Sequence, residues 1–160
     1  MDQVHYSLGL DIDKATLKSC LKVKEDSNKS IVRATKTFKN SLQGFKELDL
    51  WIKKHKKTAY AELKIIMEAT GVYHEHLAWY LHQFDFQVYI ILPLRAKRYL
   101  QSLGNKSKND KIDAHGLADA VLAAESLLVR VVAQHDDRLR SRVRRGIPAT
   151  AAMARTAANI

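Results

Sequence analysis

Asp11, Glu68, Asp110 and Asp113 are the residues of this chain whose types and settings could do chemistry. Asp11 closes the strand-like run VHYSLGLDI at residues 4–12, and Glu68 closes a second such run, IIME. Asp110 and Asp113 open a helical stretch inside a lysine-rich segment. A carboxylate at the end of an apolar strand is costly to bury without a proton, a cationic partner or a metal. The carboxyl ends of strands are also where open α/β sheets place their sites. Four such acids brought together would repel one another unless cations stood between them. The chemistry they suit is phosphoryl transfer on Mg²⁺ or Mn²⁺, with two ions about 3.5–4 Å apart stabilising the attacking and leaving oxygens. Asp110 and Asp113 are three apart, so a helix starting near Asp110 would carry both on one face, roughly 5–6 Å apart at Cβ. Acids in a first helical turn also complement the helix dipole without any functional role.

Other polar residues compete for parts in this site. Asp13 reads as a turn residue beside Lys14, or as an outer acid if the strand persists; Asp119 falls on a different helical face from Asp113 and reads as solvent-exposed. Tyr73 could line the site or pack at a helix edge. His115 reaches either solvent or the site, where it could pass a proton. His74 and His76 are two apart, and with one cysteine in the chain the histidines make a poor zinc site. The sequence holds neither GxxxxGK nor GxGxxG, which removes the usual supports for nucleotide-driven and dinucleotide chemistry.

The elements that must position these acids follow from hydrophobic patterning. Residues 4–12, 17–23 and 30–38 read as three strands of an antiparallel meander. Ser41 can cap a helix to about Lys54 with Leu42, Phe45, Leu48 and Trp51 on one face. A strand over 64–68, a helix over 73–84, a strand over 87–93 stopped by Pro93, and a helix over 93–103 ended by Gly104 complete the alternation. The last helix begins near Asp110 and runs through an Ala/Leu/Val face to about Leu128. This order predicts an α/β fold with a mixed five-stranded sheet and flanking helices.

The chain has 160 residues, of which 46% are hydrophobic, enough for one domain. Its 27 Lys and Arg against 17 Asp and Glu give a formal charge of +10, which attracts polyanions and makes nucleic acid the leading partner. Between Pro93 and Lys111, Arg95, Lys97, Arg98, Lys106, Lys108 and Lys111 face one acid, Asp110, and suit phosphate contact. Arg138, Arg140, Arg142, Arg144 and Arg145 form a second basic stretch, and of these Arg138 and Arg142 are taken as nucleic-acid contacts. No apolar run is long enough to span a membrane and no signal peptide opens the chain, so no membrane partner is expected. Cys20, the single cysteine, sits in a strand-like segment and reads as a buried small side chain in a reducing, cytoplasmic setting.

GLDIDK at 9–14, MEATGVY at 67–73, VYIILPLRAKRY at 88–99 and KSKNDKIDA at 106–114 together resemble the amino-terminal domain of DEDD-type insertion-sequence transposases, relatives of the Piv DNA invertases. That domain is similar to the Holliday-junction resolvase RuvC and has the ribonuclease H fold. The resemblance spans roughly residues 5–125 and implies that the four acids of the family name fall on Asp11, Glu68, Asp110 and Asp113. It further implies a Mg²⁺-assisted role in DNA strand cleavage and exchange, a homo-oligomer in the complete protein, and in some members a structured guide RNA. It places the chain in bacteria or archaea, on the nucleoid when bound to DNA. Family members carry a second, carboxy-terminal domain with a nucleophilic serine, for which 160 residues leave no room. The expected layout is therefore a catalytic domain over 1–130 and a basic, alanine-rich tail over 131–160, as a truncated transposase. The competing readings are a freestanding resolvase-like endonuclease and a catalytically idle nucleic-acid-binding remnant. Asp13 departs from the family, where a small polar residue is usual.

Overall fold

Apolar residues alternating with polar or small ones set β1 (His5–Ile12) and β2 (Thr16–Lys24), and β-branched residues are dense in β3 (Ser30–Lys39). A computed structural model describes residues 4–24, 29–57, 61–69, 71–102, 104 and 113–123. β2 runs antiparallel to both β1 and β3, and β4 (Glu62–Glu68) and β5 (Gln87–Ile91) run parallel to β1. The five-stranded sheet has the order β3-β2-β1-β4-β5. The tight turn from β1 into β2 is built by Asp13. Its Oδ1 accepts from the amides of Ala15 at 2.8 Å and Thr16 at 2.7 Å, and its Oδ2 accepts from the Thr16 hydroxyl at 2.9 Å. The Thr16 and Ala15 amides hold its carboxyl below the usual carboxylate range.

Each face of the sheet packs its own helices. On one face, α1 (Leu42–His55) and α2 (Glu75–Gln83) drive Phe45, Leu48, Ile52, Leu77 and Leu81 against Leu8, Leu10, Leu21 and Ile65, all but shut off from water. Each such side chain stabilises the fold by about 1.5–3 kcal/mol through area removed from water. Ser41 caps α1 by accepting from the Gly44 amide at 3.2 Å, and Trp51 meets Phe38 edge-on at 5.6 Å between centroids. On the opposite face, α3 (Pro93–Ser102) and α4 (Ala114–Ala123) bury Ala96, Leu117 and Ala120 against Ile66 and Ile91.

α4 sits unusually close to the sheet. A Cβ on Gly9 of β1 would overlap the Ala114 carbonyl and the Ala118 amide, so only glycine lets these two backbones meet. Lys22 of β2, only 8% exposed, then reaches Asp119 of α4 at 2.7 Å, and the Ser30 hydroxyl donates to the same carboxylate at 3.2 Å. Asp119 thus keeps part of the solvent exposure expected of it, its side chain 44% exposed, and also tethers helix to sheet. Cys20 is fully buried as expected, and that burial pushes its thiol up.

The element order agrees with the sequence reading, with one correction that touches the site. The last helix begins at Ala114, not near Asp110, and Asp113 precedes it in non-helical backbone. Asp113 is the cap of α4 rather than a residue on its face, because an aspartate oxygen satisfies a free amide of the first turn best from just outside it. Asp110, the remainder of the expected helix beyond Ala123 and the whole 131–160 tail lie outside the described residues.

Candidate active site

The carboxyl ends of β1 and β4 lie side by side because the two strands are parallel and in register. Their last paired residues are Leu10 and Met67, and one step further come Asp11 and Glu68. Leu10 and Met67 point into the core under α1 and α2, so strand alternation sends Asp11 and Glu68 to the face covered by α3 and α4. Glu68 is partly buried, with Oε2 shut from solvent, and Asp11 is partly exposed.

Asp113 arrives at the same edge through α4. Its Oδ1 accepts from the Gly116 amide at 2.8 Å, and the close approach at Gly9 fixes where along β1 that helix start can lie. The result is a cleft of about 350 Å³ lined by Asp11, Asp113 and His115 on one side and by Lys18, Thr35 and Thr37 on the other. His115 is therefore at the cleft.

Of the four acids singled out in the sequence, the structure brings Asp11 and Asp113 to one cleft, sets Glu68 on the neighbouring strand end, and leaves Asp110 outside the described residues. Among the described residues, no group of three or more His, Cys, Asp or Glu side chains stands close enough to hold a metal ion. Asp13 is committed to its turn and is not an outer acid. Tyr73 is exposed at its side chain and does not line the cleft, and His74 is buried under the start of α2. Arg95, Lys97 and Arg98 are exposed along α3, on the same face of the sheet as the acids. Lys106, Lys108, Lys111, Arg138 and Arg142 lie outside the described residues. Lys18, Thr35 and Thr37 carried no signal in the linear sequence, since only the cross-strand register sets them beside Asp11.

A mixed sheet of order 3-2-1-4-5, with only the second strand reversed, helices on both faces and acids at the ends of its first and fourth strands, defines a ribonuclease H-like fold. A family model described as a transposase, of the DEDD type and the IS110 group, matches residues 8–160, and the chain belongs to that family. It is similar to the pilin gene-inverting proteins of Moraxella bovis and Moraxella lacunata, at 39% identity over 111 residues in each case. That stretch is 69% of this chain and 32% of each relative, so the chain spans about a third of their length. Among solved structures it is similar to the RuvC of T. thermophilus in complex with a Holliday junction substrate, with a TM-score of 0.48 and 13% identity, covering 74% of this chain and 89% of that one. It is also similar to the Aquifex aeolicus member of the Ppx/GppA family, with a TM-score of 0.43 and 14% identity, covering 62% of this chain and 39% of that one. Among the described residues, no helix is long and apolar enough to cross a membrane.

Proposed function

We propose that this chain is the metal-binding catalytic domain of a DNA transposase or recombinase, assisting strand cleavage and exchange. The observation that carries the reading is the convergence of Asp11 and Asp113 on one cleft at the carboxyl end of β1, with Glu68 on the adjoining strand end. The names of the two Moraxella relatives speak of gene inversion, a rearrangement of DNA, and support the same class of substrate.

The donor chemistry fits a hard divalent cation, since every candidate ligand is a carboxylate oxygen. Asp11, Glu68, Asp110 and Asp113 would hold it, although the described side chains do not form a closed set by themselves. When bound, Mg²⁺ or Mn²⁺ supplies charge stabilisation to the oxygens of the phosphate under attack. Asp113 is oriented for this by the Gly116 amide, which donates to Oδ1 and so fixes the carboxylate at the cleft. Asp11 is held by the β-ladder of β1 with its neighbours. His115 lines the same cleft and is exposed there. The cations on α3 would position the DNA backbone on this same face.

Manganese titration followed by electron paramagnetic resonance tests the reading. The chain should bind Mn²⁺, and Asp11→Ala or Glu68→Ala should weaken binding by about tenfold or more. In a complete protein carrying this domain, the same changes should suppress DNA strand cleavage. Unaltered Mn²⁺ affinity in both variants would remove the metal site. Efficient metal-dependent cleavage by the 160-residue chain alone, abolished by Asp11→Ala, would instead favour a freestanding resolvase-like endonuclease.

A further inference from the structure

The wall of the cleft opposite the acids is made of different chemistry. Lys18 of β2 pairs in register with Asp11 of β1 on one side and with Thr37 of β3 on the other, and Thr35 pairs with Cys20 one row along. Lys18, Thr35 and Thr37 all line the cleft. Lys18, Thr35 and Thr37 are all exposed. Cross-strand neighbours of this kind stand roughly 4.5–5.5 Å apart at Cβ. The row therefore reads Thr37, Lys18, Asp11 from the sheet edge inward, with Glu68 on the next strand.

We propose that Lys18, Thr37 and Thr35 form a seat for a DNA backbone phosphate beside the acids, so that Lys18 positions the substrate strand. This rests on the reading of the acids as a metal-dependent DNA site. A lysine needed only to neutralise Asp11 would have no use for two hydroxyls at its flank. One ammonium and two hydroxyls are the donor set that phosphate oxygens accept from in protein–DNA complexes. Lys36, whose backbone also borders the cleft, carries its side chain to the opposite face of the sheet, over the Phe38 ring at 5.3 Å from its centroid, so among the described residues that line the cleft Lys18 is the cation beside Asp11. A cleft of about 350 Å³ has room for one sugar-phosphate unit, so the seat takes a single backbone position of one strand. β3 is an edge strand of the sheet, so the Thr37 end of the row lies at the sheet's margin.

Binding of the 160-residue chain to a fluorescein-labelled DNA with a single-stranded end, followed by anisotropy across a series of KCl concentrations in Ca²⁺, tests the assignment. Lys18→Ala should weaken binding and flatten the slope of log affinity against log salt by about 0.7–0.9, the share of one neutralised phosphate. Lys18→Arg should restore the slope. Thr37→Val should weaken binding with the slope unchanged, and all three variants should unfold at the wild-type midpoint. An unchanged slope in Lys18→Ala would overturn the seat, as would failure of the wild-type chain to bind DNA. If Lys18→Ala alters Mn²⁺ affinity while leaving the DNA slope alone, Lys18 serves only Asp11 and the proposal falls. Failure of the metal reading would show separately, as absent Mn²⁺ binding in the wild-type chain.

Discussion

Asp113 has two duties that can be separated chemically. As the cap of α4 it needs only an oxygen facing the Gly116 amide, whereas at the cleft it needs a negative charge. Asp113→Asn keeps the acceptor and removes the charge, and Asp113→Ala removes both. Urea unfolding should show Asp113→Asn near wild type and Asp113→Ala less stable by about 1 kcal/mol, the usual cost of removing a cap. Mn²⁺ affinity should fall in both. Wild-type affinity in the Asn variant would reduce Asp113 to a cap. The placement of Asp11 and Glu68 at strand ends was legible in the sequence because each acid closes an apolar run. Lys18 was not legible, because a lysine on an exposed strand position is ordinary until its lateral neighbour is known.

The placement of α4 is decided at the level of elements. Backbone meets backbone at Gly9, so an added methyl there cannot be accommodated by turning a side chain aside. Gly9→Ala should cost about 1–3 kcal/mol in urea unfolding, the usual range for overpacking. It should also weaken Mn²⁺ binding, because the start of α4 and Asp113 would be pushed from β1. A variant with wild-type stability and affinity would show that the helix can shift without consequence. The strands and α1 were legible because their buried residues follow periods that local sequence displays, such as Leu8, Leu10 and Ile12 in β1. The start of α4 was misplaced because Asp110 and Asp113 are equally good caps by type. The Lys22–Asp119 tether was missed because its partners are 97 positions apart and meet only across the packed face.

Charge acts over the whole molecule. The formal +10 is general, but Arg95, Lys97 and Arg98 put three exposed cations on the face that also bears the acids. Replacing all three with Ala should lower affinity for unrelated DNA sequences alike and reduce the salt slope by up to about 0.9 for each phosphate that is no longer neutralised. An unchanged slope would mean that the DNA backbone is held elsewhere. The fold class was legible from the order of strands and helices, since three antiparallel strands followed by helix-linked ones leave few sheet arrangements open. The close docking of α4 gives the molecule one more property. Asp11, Glu68 and Asp113 enter from the first strand, the fourth strand and the last described helix, so no local stretch of chain carries a usable site. Pairing β4 beside β1 joins residues 57 apart, a long-range step that forms late compared with hairpins and single helices. A chain emerging from the ribosome would not gather these three acids until the helix that follows Asp113 had docked, so the metal binding proposed for them would be confined to molecules that had finished folding.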